Sequence, residues 1–206
     1  MKTAAVILAA GLSRRMGTIE KLNLSVHDVP MAEHCIRLVQ QSNLFSQVVV
    51  VVNQPNIAQT AQKYHAQIVN NPIAWQGMGT SVAAGSKVVQ DEISFVMYLT
   101  ADQPCLTQDI LETLIQTAQK TNAIVVPRVN GRPKSPCIFP RRFLEECKAL
   151  SDETGGKGVY RKHIDEVVWV DFPDSIAWKD IDTLEDYNAF IQGECAVKQD
   201  AAQAMP

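Results

Sequence analysis

The first residues able to do chemistry lie in a loop that follows an apolar stretch near the start of the chain. Gly11 leaves the backbone open to a ligand, and three cationic residues, Arg14, Arg15 and Lys21, come soon after it. Backbone N–H donors and several cations that converge on one place suit a polyphosphate. The sequence therefore predicts an anion-binding loop between Gly11 and Lys21.

A carboxylate is expected beside this loop. Asp102 follows the apolar segment Ile93–Thr100, which has the length and composition of a buried strand. In open parallel sheets, ligands bind beyond the carboxyl ends of the strands. Asp102 and the loop after Gly11 are therefore predicted to face one crevice.

Magnesium would explain why acidic and basic side chains meet there. Mg²⁺ in proteins is held by one or two carboxylates together with substrate phosphates, which the cations Arg15 and Lys21 would also bind. Asp102 is therefore a predicted magnesium ligand, and Asp180 and Asp182 are both candidates for a second carboxylate. The alternative is structural, with Asp102 in a turn and the two later aspartates at the start of a helix.

Strand-like and helix-like segments alternate along the chain, which favours an α/β fold around a mostly parallel sheet. Predicted strands cover residues 3–9, 47–53, 67–69, 93–100, 123–127 and 166–171, with a short antiparallel strand over 136–139. Predicted helices cover 30–41, 57–64, 107–120, 143–150 and 183–191, and another begins at a cap on Thr80 or Ser81. Residues 1–191 form one predicted domain, and the polar, aperiodic residues 192–206 are predicted to be a disordered tail.

Composition argues against several classes of protein. With 206 residues and a net charge of −3, the chain has no overall basic field for nucleic acid or an anionic membrane. No stretch reaches the roughly 20 apolar residues of a membrane-spanning helix. The five cysteines form no CxxC pair, which disfavours a zinc site or a disulfide framework. We expect a cytoplasmic protein with no nucleic-acid or membrane partner.

Two common phosphate-binding motifs are incomplete in this chain. The segment GLSRRMGT has the outline of a P-loop but lacks its Gly-Lys-Ser/Thr ending. No GxGxxG follows the first strand, and the second strand ends in Asn53 and Gln54 rather than in an acidic residue for a ribose. Both observations disfavour a P-loop kinase and a dehydrogenase.

Four segments together resemble the nucleotidyltransferase family that contains the molybdenum cofactor guanylyl- and cytidylyltransferases. Leu8–Lys21 is similar to the family's LAAGxSxRMGxxK signature, with one extra residue before the lysine, and Leu99–Leu106 (LTADQPCL) is similar to its LADQP motif. Gly77–Gly85 (GMGTSVAAG) resembles the second glycine loop, and Asp180–Asp186 (DIDTLED) resembles the DIDTPED element. Ala-Ala-Gly in the first segment and GMGTS in the third resemble the cytidylyltransferase branch.

The resemblance implies a three-layer α/β/α, Rossmann-like nucleotidyltransferase fold. It also implies transfer of CMP from CTP to the phosphate of molybdopterin, with release of pyrophosphate, and a molybdoenzyme as the possible receiver of the product. The implied cofactor is Mg²⁺, held by Asp102 and Asp182. Arg15 and Lys21 are implied to hold the triphosphate and to act with Asp102 in catalysis. The implied nucleotide-binding residues are Ala9, Ala10, Gly11, Arg15, Lys21, Gly79 and Ser81.

Other functions stay open on the sequence alone. Gly131–Phe139 and Ser151–Gly158, which the resemblance places on the acceptor side, depart from the family's pattern. The enzyme could transfer GMP to molybdopterin, or CMP to a sugar or polyol phosphate. An NAD(P)-dependent oxidoreductase of related fold and a pterin-cofactor insertion chaperone are the alternatives outside this reaction class.

Overall fold

A mostly parallel, eight-stranded sheet forms the centre of the computed structural model, which describes residues 1–17, 19–151 and 153–203. The strands of this sheet are β1 (Lys2–Ala9), β4 (Gln47–Val52), β5 (Gln67–Asn70), β6 (Ile93–Thr100), β7 (Ile124–Val129), β8 (Arg132–Pro133), β9 (Cys137–Pro140) and β10 (Val167–Phe172). A separate hairpin joins β2 (Ser25–Val26) to β3 (Val29–Pro30). The helices are α1 (Met31–Gln41), α2 (Pro55–Lys63), α3 (Met78–Ser86), α4 (Gln108–Thr121), α5 (Leu144–Lys148), α6 (Gly156–Lys162) and α7 (Leu184–Gln203).

The strand order places a crevice at the end of β1. Neighbours follow the order β10-β7-β9-β6-β1-β4-β5, with β8 paired to β7, and β1 is parallel to both β4 and β6. The chain moves from β1 to β4 and β5 on one side, and it then returns to β6 on the other side. Ligands of open α/β sheets bind where the direction reverses in this way.

The predicted antiparallel strand is confirmed. β9 runs antiparallel to both β6 and β7, while β10 pairs with β7 in parallel orientation. The two-residue strand β8, also antiparallel to β7, was not predicted from the sequence, because a strand of this length has no measurable periodicity.

Helices cover both faces of the sheet, which confirms the three-layer α/β/α fold. Ile7 of β1 belongs to a core cluster with side chains of α1, α2 and α4, whereas its neighbour Val6 belongs to a cluster with side chains of α3, α5 and α6. Successive side chains of a strand point to opposite faces, so a strand covered on both faces is apolar throughout. This explains the uninterrupted apolar sequences of β1 and β4.

Close packing of α3 on the sheet depends on Gly85. A Cβ atom added to this residue would clash with the Val6 side chain and lie 3.0 Å from Cγ2 of Val51. The helix therefore lies against β1 and β4 at a distance that only glycine permits at this position.

A third and smaller apolar cluster connects the two ends of the chain. Its buried members come from the loop after β1, from β2, from α1 and from the segment around α7, namely Met16, Val26, Met31, Ile181 and Phe190. The hydroxyl of Tyr187 in α7 also donates to the carbonyl of Ser25 in β2 (2.7 Å). The loop after β1 is thereby packed against the helix that follows Asp182.

The two largest differences between predicted and observed helix boundaries concern α3 and α7. α3 begins at Met78, with Gly77 in the N-cap position at φ 138°, and the hydroxyl of Thr80 donates to the Gly77 carbonyl (2.8 Å) instead of capping the helix. α7 continues to Gln203, through residues that the sequence predicts to be a disordered tail after residue 191. The Ala, Gln, Glu and Lys residues of this stretch are good helix formers. The remaining predicted tail residues, 204–206, lie outside the described residues.

Candidate active site

The loop after β1 folds back so that Lys21 reaches the crevice. The backbone N–H of Lys21 donates to Oγ of Ser13 (3.1 Å), and a 3-10 turn forms over Arg14–Met16. Gly17 then takes φ +65°, a left-handed conformation that glycine adopts without strain. The side chain of Arg14 lies outside the described part of the structure.

The ammonium group of Lys21 bridges two carboxylates. Its Nζ atom lies 2.6 Å from Oδ2 of Asp102 and 2.8 Å from Oδ1 of Asp182. Only 11% of the lysine side chain is exposed. Arg15, which is 68% exposed, contacts the other oxygen of Asp182 at 2.9 Å. The structure therefore brings together all the residues that were predicted to act in catalysis or to bind metal.

Lys21 is a permanent cation in this environment. Burial alone would lower its pKa, but the charges and hydrogen bonds of Asp102 and Asp182 together outweigh burial and raise the pKa above its usual value. The amine stays protonated at neutral pH. Lys21 can therefore neutralise negative charge but cannot accept a proton.

Asp102 has an oxygen available for a metal ion. Its Oδ1 atom is buried and accepts no hydrogen bond from a described residue. Carboxylate oxygens are preferred ligands of Mg²⁺, so this atom and Asp182 fit a divalent cation shared with substrate phosphates. The described residues contain no group of three or more His, Cys, Asp or Glu side chains that could hold a metal ion. A cation here would take its other ligands from water and the substrate.

The two candidates for a second carboxylate have different surroundings. Asp182 shares a lysine with Asp102, whereas Asp180 accepts hydrogen bonds from Nε2 of Gln103 (2.8 Å) and Nζ of Lys134 (3.1 Å). The pKa of Asp180 is raised, mainly by burial and to a smaller extent by the negative charge of Asp102. Asp182 is thus the better-placed partner of Asp102, and its role as a metal ligand stays a prediction.

A capped helix start positions Asp182. Oδ2 of Asp186 accepts hydrogen bonds from the backbone N–H groups of Asp182 (3.3 Å) and Thr183 (2.9 Å), while Oγ1 of Thr183 accepts one from the N–H of Asp186 (3.0 Å). This reciprocal arrangement is a capping box with aspartate in the usual place of glutamate. The N–H of Ile181 donates to the carbonyl of Asp102 (3.2 Å), which holds this segment beside the end of β6.

Replacing Asp186 by alanine is expected to lower the free energy of unfolding by about 1 kcal/mol, the usual value of a helix cap. Hydrogen bonds from Thr183 lower the pKa of Asp186. Its contribution is therefore fully present above about pH 4, the ordinary aspartate pKa, and is lost as the pH falls through the lower folded-state value. Urea unfolding at a series of pH values measures this effect. Equal differences between wild type and variant at every pH would contradict it.

The start of α3 forms the other wall of the crevice. Asn71 is a buried residue with 2% of its surface exposed. Its Nδ2 atom donates to Oγ1 of Thr80 and to Oγ of Ser81, both at 2.9 Å. Ser81 lines the crevice, while Gly79 is buried within the helix. The sequence marks Asn71 only as part of an Asn-Asn-Pro turn, so its role in fixing Ser81 was missed.

The crevice has two halves that share Asp102, Asp182 and Arg15. One half has a volume of about 510 Å³ and is lined by Ala10, Gly11 and Ser81, among others. The other half, of about 650 Å³, is lined by residues that follow β8 and by α6. Ala9 is fully buried and lines neither half, nor does Gly79, so any contact of these two residues with a nucleotide stays a prediction.

Two cysteines and one histidine have structural surroundings. Burial raises the pKa of the thiols of Cys35 and Cys137 to about 12, so neither is a thiolate at neutral pH. His34 bonds to the carbonyl of Val26 (2.7 Å) beneath the β2–β3 hairpin. Within the described residues, no helix is long and apolar enough to cross a membrane.

Comparisons with known proteins agree with this geometry. A family model described as the MobA-like NTP transferase domain matches residues 5–167. A molybdenum cofactor guanylyltransferase from Pseudomonas entomophila is 30% identical over 142 residues, which are 68% of this chain and 71% of that protein. A 2-C-methyl-D-erythritol 4-phosphate cytidylyltransferase from Alkaliphilus oremlandii is 27% identical over 131 residues, 60% of this chain and 55% of that protein. The bifunctional protein GlmU of Oceanobacillus iheyensis is 33% identical over 127 residues, 58% of this chain, but the match spans only 26% of GlmU.

Solved structures share the fold. Rv0371c from Mycobacterium tuberculosis H37Rv has a TM-score of 0.78, with 20% identity over 93% of this chain and 98% of that one. A complex of Rv0371c with manganese has a TM-score of 0.72, with 20% identity over 93% and 99% of the two chains. The family match covers well over half of the chain and confirms the resemblance seen in the sequence. The chain belongs to the MobA-like NTP transferase family and is a nucleotidyltransferase.

Proposed function

We propose that the protein transfers CMP from CTP to the phosphate of molybdopterin, with Mg²⁺ as cofactor and pyrophosphate as the second product. The observation that carries this proposal is the pair of carboxylates, Asp102 and Asp182, which meet around Lys21 at the reversal point of the sheet. Both carboxylates contact cations of the loop after β1, namely Lys21 and Arg15. This arrangement suits the complex of a divalent cation with a triphosphate.

The half of the crevice next to β1 suits the nucleotide. A Cβ atom added to Gly11 would meet nothing within 4 Å, so the backbone there is open to a phosphate. Arg15 lines the same half of the crevice and supplies an exposed guanidinium. Ala10 and the hydroxyl of Ser81 line the same half and would contact the base or the ribose.

The reaction needs no covalent enzyme intermediate. An oxygen of the acceptor phosphate attacks the α-phosphorus of CTP in line with the departing pyrophosphate. That oxygen is already ionised near neutral pH, so no general base is required. Asp102 and Asp182 would hold Mg²⁺, which would neutralise phosphate charge. Arg15 and Lys21 counter the charge that grows on the leaving pyrophosphate. Positioning of the two substrates and this neutralisation of charge together supply most of the catalysis.

The second half of the crevice suits a phosphorylated acceptor. Lys157 and Arg161 lie one turn apart on α6 and line this half, and neither forms an ion pair with a described residue. Tyr160 lies between them in the sequence, and burial raises its pKa to about 12, so it is a neutral hydrogen-bond donor. Both cations are therefore expected to bind the phosphate of the acceptor.

Replacing Arg161 or Lys157 by glutamine is expected to raise the KM for the acceptor by about 10-fold or more, which is the usual effect of losing a charged hydrogen bond. The KM for CTP should change little, because the nucleotide binds in the other half. Steady-state kinetics with each substrate varied separately measures the two effects. Lys162→Gln on the same helix, which does not line the crevice, is the matched control. An equal rise in both KM values would contradict the assignment.

The choice of CTP is supported by the Ala-Ala-Gly sequence at residues 9–11, which resembles the cytidylyltransferase branch. The relatives include both a guanylyltransferase and a cytidylyltransferase, so the nucleotide needs a direct test. Pyrophosphate release with MgCTP, MgGTP, MgATP and MgUTP, each with and without molybdopterin, provides it. We expect release with CTP only, and only in the presence of molybdopterin.

The same experiment distinguishes the other functions. Release with GTP and molybdopterin would indicate a guanylyltransferase, and release with CTP only on addition of a sugar or polyol phosphate would indicate a different acceptor. Binding of molybdopterin without release from any nucleotide would favour a carrier that delivers the pterin to a molybdoenzyme. Stabilisation by NAD(P)H but not by CTP would favour an oxidoreductase. The described cysteines are free thiols, as expected if this reaction takes place in the cytoplasm.

A further inference from the structure

Lys21 occupies the place that a cation between the two carboxylates would need. We propose that Lys21 is an exchangeable counter-cation, whose ammonium group leaves Asp102 and Asp182 for the triphosphate when a divalent cation binds. This inference rests on the proposed use of a metal–nucleotide complex. It goes further because it predicts that the metal and the nucleotide bind cooperatively.

The distances make the exchange necessary. The ammonium group lies 2.6 Å from Asp102 and 2.8 Å from Asp182, and it uses one oxygen of each carboxylate. A divalent cation that bound these same oxygens would repel the ammonium group strongly at such short range, and the lysine is too deeply buried for water to screen the repulsion. Oδ1 of Asp102 is a free ligand, but Oδ2 of Asp182 already contacts Arg15 (2.9 Å). A cation held by both carboxylates therefore has to use oxygens that Lys21 and Arg15 occupy.

The surroundings make the exchange feasible. Lysine carries its charge on a flexible four-carbon stem, so the ammonium group can move several ångströms without movement of the backbone. Its backbone stays fixed by the hydrogen bond from its N–H to Ser13. Gly11 and Ser13 line the same half of the crevice as Lys21, so phosphates bound there would lie within reach of the displaced ammonium group.

Coupling between the two ligands follows. A metal ion alone must displace the ammonium group of Lys21, which then has no anion to pair with. A metal ion bound together with a triphosphate supplies that anion. Each ligand should therefore raise the affinity for the other by the same factor. We expect this factor to be about 10-fold or more.

Titration of the full chain with Mn²⁺, followed by electron paramagnetic resonance of the free ion, tests the exchange. In the wild type, Mn²⁺ alone should bind at least about 10-fold more weakly than in the presence of a non-hydrolysable CTP analogue. Lys21→Met should bind Mn²⁺ alone at least about 10-fold more tightly than the wild type. The CTP analogue should raise the Mn²⁺ affinity of this variant by a smaller factor than it raises that of the wild type. Lys2→Met, which removes an exposed lysine paired with Glu92, is the matched control and should behave as the wild type.

Several outcomes would overturn the inference. The inference is wrong if Lys21→Met folds but binds free Mn²⁺ no more tightly than the wild type. If that variant does not fold, the inference is wrong when the wild type binds Mn²⁺ with equal affinity in the presence and absence of the CTP analogue. These results differ from failure of the proposed function, in which none of the four nucleotides would release pyrophosphate in the presence of molybdopterin.

Discussion

Asp102→Asn is expected to lower Mg²⁺-dependent pyrophosphate release from CTP on the order of 100-fold or more. Asparagine keeps the shape of the side chain but removes its charge, and so weakens both the proposed metal site and the contact with Lys21. Loss of a residue that merely supports a metal ligand usually costs about 10–100-fold, so loss of a ligand itself should reach or exceed the upper end. Release measured over a range of Mg²⁺ concentrations gives the effect, and added Mg²⁺ should recover only a part of it.

A remote aspartate in an ion pair provides the matched control. Asp171 is exposed and contacts Arg128 at 2.7 Å, away from the crevice. Asp171→Asn removes the same charge, and it should leave the rate unchanged because exposed ion pairs contribute little. Thermal melting of both variants separates loss of activity from loss of structure. A folded Asp102→Asn variant that retains activity within about threefold of the wild type would contradict the metal role.

Gly85→Val is expected to lower the free energy of unfolding by about 3 kcal/mol, the upper end of the usual cost of overpacking. The new side chain would have to enter the contact between α3 and the strands β1 and β4, where even a Cβ atom clashes with Val6. For a domain of this size, the melting temperature should fall by roughly 6–12 °C. Calorimetry or circular dichroism measures the shift.

Gly11→Ala is the counterpart of this substitution. The added methyl group meets no atom within 4 Å, so the variant should melt close to the wild-type temperature. The methyl group would instead occupy the space through which a phosphate approaches, and the affinity for CTP should fall. Melting of Gly85→Val at the wild-type temperature would show that α3 can shift on the sheet.

The sequence was sufficient to predict the fold and the four charged residues that meet in the crevice, namely Arg15, Lys21, Asp102 and Asp182. The apolar runs of β1, β4 and β6 predicted a sheet covered on both faces, and the rule for open parallel sheets placed Asp102 beside the loop after β1. Both predictions depend on local pattern and on one general rule of topology. The order of four motifs then identified the family.

The sequence could not give the contacts within the site. Lys21 lies 81 positions from Asp102 and 161 from Asp182, and nothing in a local pattern indicates that one ammonium group bridges both. The supporting roles of Asn71 and Asp186 likewise depend on the path of the backbone. Asp186 could have been found from its spacing, because it lies three residues after the cap Thr183, where a capping box has its acidic residue.

The small cluster that joins Met16 to Phe190 has a consequence for the synthesis of the protein. Strands β1 to β10 emerge from the ribosome before α7, and domains fold as their segments become available. The loop that carries Lys21 nevertheless lacks two of the packing partners of Met16 until Ile181 and Phe190 have been made. A nascent chain that stops before residue 181 would contain every strand of the sheet but no second carboxylate. We therefore expect competence to bind a nucleotide to arise only when α7 has been translated.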